Sequence, residues 1–292
     1  MAGRRRTQKS SAFPGGVAVV TDSTASLSAE DARREGIVVV PLRVIVGANT
    51  FTEGHDVSAD VIAAALKDFL PVSTSRPNPE EFGEVYRRLA DDGATSIVSV
   101  HLSSRMSGTL DSAVLAAKDA PVPVTVVDSR QVGLATGFAA GRAARARGEG
   151  VTPEEVAEVA RAAGAASTAL IYVDTLDYLR RGGRVGAAAA LLGSALAVKP
   201  LLTISDGLVV PLEKVRTSTR AMARMEVLAT EAAGDGPADI GVQHLANPQV
   251  AEAFAARLAT SLGRESVPVD EVGAVIGAHV GPGTVAVTVT PH

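Results

Sequence analysis

The chain has 292 residues, of which 46% are hydrophobic and 21% charged, and this is enough apolar material for a sizeable core in more than one domain. It contains no cysteine, which excludes disulfides, thiolate nucleophiles and cysteine metal sites. The formal net charge of −4, without interleaved basic and aromatic residues, argues against nucleic acid as a partner.

The first 14 residues are predicted to form a flexible basic tail. Arg4, Arg5, Arg6 and Lys9 occur there without the apolar stretch of a secretion signal. Nowhere in the chain does an apolar run approach the length that spans a bilayer. We therefore expect a cytoplasmic protein with no transmembrane segment.

Residues 15–165 alternate short apolar runs with amphipathic stretches. Caps mark several helix starts, including Ser28, Asn78 and Thr152. The predicted strands are 17–20, 37–40, 97–102 and 124–127, and the predicted helices are 29–35, 59–69, 79–90, 110–118, 131–147 and 153–164. Such alternation predicts an N-terminal three-layer α/β/α domain with a mainly parallel sheet over 15–165.

The strict alternation of predicted strands and helices ends after Gly164. Asp206-Gly207 between apolar runs is a strong hairpin signal, which indicates antiparallel pairing. Predicted strands are 170–173, 201–204, 240–245, 267–272 and 285–290, and predicted helices are 217–232 and 248–262. We expect a C-terminal α+β domain over 166–292 with a mixed or antiparallel sheet.

Two hydroxyl-rich turns precede predicted helices. Ser107 lies in SSRMSGT at 103–109, and Thr74 comes shortly before the helix that Asn78 caps. The free N–H groups and the dipole at a helix start favour an anion, and hydroxyls donate well to a carboxylate. Both side chains are therefore candidates for anion binding at one sheet edge, with simple helix capping as the alternative.

His279 lies among four glycines and a proline at 273–284, which predicts a tight turn around the imidazole. A neutral histidine can donate to a carboxylate, although a purely structural histidine on a turn is the alternative. The other histidines have no partners at ligand spacing, so no metal site is expected. Motifs of nucleotide phosphate loops, dinucleotide folds and zinc proteases are also missing, and no cofactor is expected.

Arginines cluster in two further places. Arg184 closes RRGGR at 180–184, and Arg216 closes KVR at 214–216. Guanidinium groups suit phosphate or carboxylate recognition, and a solvated surface is the alternative.

Taken together, these segments resemble the DegV family of bacterial fatty-acid-binding proteins, which includes the lipid-carrying subunit of fatty acid kinase. The resemblance covers nearly the whole chain after the tail. The matching segments, in the family's order, are TDSTA at 21–25, TSRP at 74–77, SSRMSGTLDS at 103–112, YLRRGGR at 178–184, KPLL at 199–202, KVRT at 214–217 and GAHVGPGT at 277–284.

This resemblance implies that an acyl chain is buried within the protein while Thr74, Ser107 and His279 hold its carboxylate. It also implies that Arg184 and Arg216 face the transferred phosphate or a separate, dihydroxyacetone-kinase-like subunit, which phosphorylates the acid with ATP. The chain would then present the substrate without being an enzyme itself. The family usually has Gln where this chain has Arg76.

Two alternatives remain open at this point. A serine hydrolase could use Ser107 with His279 and a carboxylate such as Asp22, although the G-x-S-x-G nucleophile motif is missing. A regulatory or interaction module could instead bind another small anion in the same cleft.

Overall fold

The computed structural model describes residues 13–191 and 199–292. Most of the predicted basic tail lies outside these residues. The last two residues of the predicted tail, Phe13 and Pro14, are described. Phe13 packs against the core, and Pro14 begins a short 3₁₀ helix, Pro14–Gly16.

Strands and helices alternate through most of the chain. The strands are β1 (Val17–Asp22), β2 (Ile37–Val40), β3 (Arg43–Val46), β4 (Asn49–Thr52), β5 (Val72–Ser75), β6 (Ser96–His101), β7 (Val124–Asp128), β8 (Thr168–Tyr172), β9 (Lys199–Ser205), β10 (Leu208–Val215), β11 (Ala238–His244), β12 (Val269–Glu271) and β13 (Val285–Pro291). The α-helices are α1 (Ala29–Glu35), α2 (Ala59–Lys67), α3 (Pro79–Asp91), α4 (Thr109–Ala117), α5 (Leu134–Ala146), α6 (Pro153–Ala166), α7 (Asp177–Arg181), α8 (Ser218–Ala233), α9 (Pro248–Ser261) and α10 (Ala274–Val280).

The first sheet is parallel and has the strand order β2-β1-β6-β7. Phe82 and Tyr86 of α3 pack with α4 on one face, while the alanines of α5 and α6 cover the other. Burial on both faces explains why β1 and β6 are hidden along their whole length. The predicted three-layer arrangement is confirmed.

A second, six-stranded sheet follows Ser167, with the order β10-β9-β8-β13-β11-β12. Its pairs are antiparallel except for β11 and β12, and the predicted turn at Asp206-Gly207 joins β9 to β10. Helices α8 and α9 bury one face with Met225, Phe254 and Leu258. The mixed sheet is confirmed, and the division into domains at 165 and 166 stays a prediction.

A third sheet, which the sequence analysis missed, lies within residues 43–75 and has the antiparallel order β4-β3-β5. We call this sheet with α2 the small-sheet unit. Leu42, Val44 and Ile62 pack against α10 near the end of the chain. The unit therefore connects an early segment of the chain to the helix that carries His279.

Two predictions about local structure are wrong. Thr74 is a residue of strand β5 in the third sheet, and does not lie at the edge of the parallel sheet. His279 lies in helix α10, and the turn of this glycine-rich segment comes only after the helix, at Pro282 and Gly283. Among the described residues, the helices all fall short of the length and apolar content needed to cross a membrane.

Candidate functional site

A cavity of about 410 Å³ lies where the three sheets meet. One wall is the face of the second sheet opposite α8 and α9, where Ala169 and Ala286 leave room. The other walls come from the loops after β1 and β6, from Thr74 and from Ile276 of α10. Its volume falls in the range of about 300–1,000 Å³ that is typical of small-molecule sites.

The lining is mostly aliphatic. Leu42 contributes from the β2–β3 connection, Leu179 from α7, and Leu202 and Val209 from the β9–β10 hairpin. Arg76 and Arg184 are the charged side chains among the described lining residues, and neither Asp nor Glu is among them. An apolar chamber with cationic groups and no acidic ones suits a ligand that is apolar along its length and anionic at one end.

Thr74 and His279 meet at this cavity although 205 residues separate them in the chain. The Thr74 hydroxyl lies 2.8 Å from His279 Nε2, and both residues line the cavity. Thr74 plays no part in capping the following helix, because Asn78 forms a complete capping box with Glu81. The capping alternative for Thr74 is therefore wrong.

Burial keeps His279 neutral. Desolvation, with a smaller contribution from the Arg184 charge, lowers the pKa of His279 from 6.5 to about 4. His279 Nδ1 has no hydrogen-bond partner among the described residues and lies against Gly182, where an added Cβ would come within 2.1 Å of that nitrogen. A neutral ring that donates from Nε2 to Thr74 leaves the threonine hydroxyl hydrogen free for a ligand.

Ser107 lies in the turn between β6 and α4. Its hydroxyl lies 2.9 Å from the Thr109 hydroxyl and accepts a bond from Thr109 N–H at 3.3 Å, so it stabilises the helix start while also lining the cavity. The Ser103 hydroxyl holds this turn by donating to Gly207 O of the β9–β10 hairpin at 2.7 Å. Both interpretations of Ser107 thus fit its geometry.

The predicted arginines occupy different environments. Arg184 donates from Nε to Met106 O at 3.1 Å and lines the cavity. Arg76 extends over Gly108 at the same cavity. Arg216 is exposed just after β10 and is not among the lining residues. The structure therefore brings Arg184, but not Arg216, to the cavity.

A buried network begins at Asp22, which is not itself among the cavity-lining residues. His101 Nδ1 donates to Asp22 Oδ2 at 2.9 Å, and Ser99 Oγ lies 2.7 Å from His101 Nε2. Leu102 N–H also bonds to Asp22 Oδ2, at 3.1 Å, which ties the ends of β1 and β6 together. Asp22, which the serine hydrolase alternative suggested as a carboxylate partner for His279, orients His101 instead.

With this geometry established, comparison with known proteins identifies the family. The family described as "Uncharacterised protein, DegV family" matches residues 16–292. The chain belongs to the DegV family. A DegV domain-containing protein of Streptomyces coelicolor is 54% identical over 275 residues, which are 94% of this chain and 98% of that protein.

Solved DegV structures share the fold. The fatty-acid-binding DegV family protein from Thermus thermophilus is 32% identical, with a TM-score of 0.88 over 94% of this chain and 99% of its own. DegV from Bacillus subtilis, a fatty acid binding protein, is 31% identical, with a TM-score of 0.84 over 94% of this chain and 98% of its own. Solved structures thus support fatty acid binding by members of this family.

Sequence reasoning missed some residues that shape the site. Gly182 has an ordinary helical backbone, and only the approach of His279 requires it to be glycine. The bond from Val275 N–H at the start of α10 to Glu53, and the space that Gly273 leaves for the Glu53 carboxylate, were also missed. These are contacts between distant segments, and no local pattern in the sequence marks them.

Proposed function

We propose that this protein binds a long-chain fatty acid in the cavity and presents its carboxylate to a separate kinase subunit. The observation that carries the proposal is a 410 Å³ aliphatic cavity with Thr74, Ser107 and two arginines on its wall and no acidic residue among its described lining. Fatty acid binding by the Thermus and Bacillus relatives supports it.

The acyl chain supplies the affinity. Each buried methylene contributes about 0.8 kcal/mol, so a dozen give roughly 10 kcal/mol before the costs of binding. An aliphatic wall discriminates weakly between neighbouring chain lengths, because one methylene changes the binding free energy by only about 0.8 kcal/mol, or about fourfold in affinity. The polar groups therefore determine the orientation of the ligand more than its affinity.

The head group is proposed to lie between Thr74 and Ser107. Both hydroxyls can donate to carboxylate oxygens, and such charge-assisted bonds are stronger than neutral ones. His279 lies behind Thr74 and donates from Nε2 to the Thr74 hydroxyl oxygen at 2.8 Å, which leaves the hydroxyl hydrogen for the carboxylate. Arg76 and Arg184 add positive charge nearby, which favours the ionised acid.

Phosphorylation is assigned to a partner, a dihydroxyacetone-kinase-like subunit that holds ATP. In this scheme the chain presents the carboxylate, and the kinase forms the acyl phosphate that feeds phospholipid synthesis. Arg184 is suited to approach the transferred phosphate from the cavity wall, and exposed Arg216 is suited to contact the kinase surface.

Ligand binding is tested by purifying the protein, denaturing it and analysing the organic extract by mass spectrometry. We expect long-chain fatty acids in near-stoichiometric amount, and their masses also report the preferred chain length. A folded preparation that is repeatedly free of such acids, and that fails to take them up, contradicts the proposal.

The head-group assignment is tested with a fatty acid kinase subunit and ATP. Ser107→Ala and Thr74→Val should each reduce acyl phosphate formation by roughly tenfold or more, because each removes one donor to the carboxylate. Ser104→Ala serves as the control, since Ser104 shares the turn, does not line the cavity and bonds to Asp128. Unchanged turnover in both variants, with circular dichroism intact, counts against the assignment.

A further inference from the structure

Glu53 makes an unusual contact with the start of helix α10. It is only 6% exposed, and its Oε1 accepts a bond from Val275 N–H at 2.7 Å. Burial raises the pKa of Glu53, while the Ser23 hydroxyl and Val275 N–H partly oppose this shift. No side chain of α10's own N-terminal flank caps the helix, so a carboxylate 222 residues away supplies the acceptor.

Gly273 makes room for this carboxylate. A Cβ at position 273 would lie 2.4 Å from Glu53 Oε1, closer than any real contact of that kind. The backbone of Gly273 has φ −62° and ψ 160°, which any residue can adopt. Space for Glu53, and not backbone conformation, therefore requires glycine here.

The small-sheet unit holds α10 at its other end as well. Thr74 of β5 bonds to His279 near the helix C-terminus at 2.8 Å. Between the two polar contacts, Val44 and Ile62 pack against Ala274 and Ala278. Glu53 and Thr74 thus contact residues four positions apart on α10, which is about one turn of helix.

We infer that Glu53 is a positioning residue: by holding the start of α10 against the small-sheet unit, it places His279 at hydrogen-bonding distance from Thr74. Glu53 does not line the cavity itself. It lies on a separate groove of about 730 Å³ behind α10, together with Gly273 and Ala274. Its effect on head-group binding rests on the proposed function, whereas its effect on His279 does not.

The chemistry of the contact defines a matched set of variants. Glu53→Ala removes the acceptor, and Glu53→Gln keeps a carbonyl oxygen in the same place. Gly273→Ala forces the carboxylate away, and the double variant Glu53→Ala/Gly273→Ala removes the group that clashes. Asp270→Ala is the control, because it removes an exposed carboxylate from the same groove.

The first readout is the His279 imidazole followed by NMR across a pH titration, which needs no ligand. In the wild type, in Glu53→Gln and in Asp270→Ala, we expect a midpoint near 4. In Glu53→Ala and Gly273→Ala the midpoint should move toward 6.5, because a displaced helix end exposes the ring. The double variant should show the same midpoint as Glu53→Ala, because the Cβ added at position 273 no longer meets a carboxylate.

The second readout compares a fatty acid with the fatty alcohol of equal length. Glu53→Ala should lower the preference for the acid by about tenfold while leaving alcohol binding nearly unchanged. A wild type that binds neither compound contradicts the proposed function, and the NMR titration still decides the positioning role.

Two results of the NMR titration overturn the inference. One is an unchanged His279 titration in Glu53→Ala. The other, should that variant fail to fold, is a Gly273→Ala protein whose His279 signals match those of the wild type. Equal loss of acid and alcohol affinity also opposes it, because a purely structural role predicts that pattern.

Discussion

His279 links the head-group site to the pH dependence of stability. Its folded pKa of about 4 lies below the ordinary value of 6.5, so the unfolded chain binds more protons between these values. The contribution of the neutral His279 to the free energy of unfolding is fully present above about pH 6.5 and is lost as the pH falls toward 4. Between pH 7.5 and pH 4.5, we expect the free energy of unfolding to fall by about 2 kcal/mol more in the wild type than in His279→Asn, as measured by urea unfolding. Parallel pH profiles contradict the low pKa.

At this scale the sequence predicted which residues meet better than it predicted how they meet. Thr74 and His279 converge as expected, yet through a hydrogen bond between a strand and a helix. Asp22, suggested only as a possible partner of His279, pairs with His101 on the neighbouring strand, and no spacing rule reveals that pair. The roles of Gly182 and Gly273 depend on contacts with residues far away in the chain.

Among the helices, α5 offers a direct test of close packing. A Cβ at Gly137 would lie 2.3 Å from Ala25 O, which is rigid backbone, whereas at Gly141 it would meet the flexible end of Arg145 at 3.2 Å. Gly137→Ala should therefore lower the free energy of unfolding by about 1–2 kcal/mol, despite the better helix propensity of alanine. Gly141→Ala should be neutral or stabilising by up to about 1 kcal/mol. Urea denaturation of the two variants checks the pair, and equal effects would argue against the close approach.

Elements with strong local signals were predictable, and elements held by tertiary contacts were not. The capped helices α3 and α6 carry complete capping boxes, which their sequences indicate. Helix α10 contains Gly277 and is flanked by Gly273 and Gly281, and glycine disfavours a helix by propensity. Packing against the small-sheet unit and the Glu53 contact outweigh that preference.

Across the whole molecule, side-chain contacts join the part before Ser167 to the part after it. Arg142 of α5 donates to Asp239 Oδ2 at 2.9 Å, to Pro291 O at 2.7 Å and to Thr290 O at 2.6 Å. The cavity lies between these same parts, so its shape depends on how they are held together. We propose that residues 15–165 and 166–292 are two domains with one ligand bound between them.

Ligand removal tests this picture of the whole protein. A ligand present at a hundred times its dissociation constant stabilises the folded state by about 2.7 kcal/mol, which corresponds to a melting temperature higher by roughly 5 °C or more. Protein stripped of lipid on a hydrophobic resin should therefore melt at least about 5 °C below the loaded protein, and added fatty acid should restore the difference. The matched fatty alcohol should restore less, because it lacks the charge that Arg76 and Arg184 favour at the cavity wall. Equal melting temperatures with and without fatty acid would show that the folded protein does not bind the fatty acid. Equal rescue by acid and alcohol would place the head group away from the arginines.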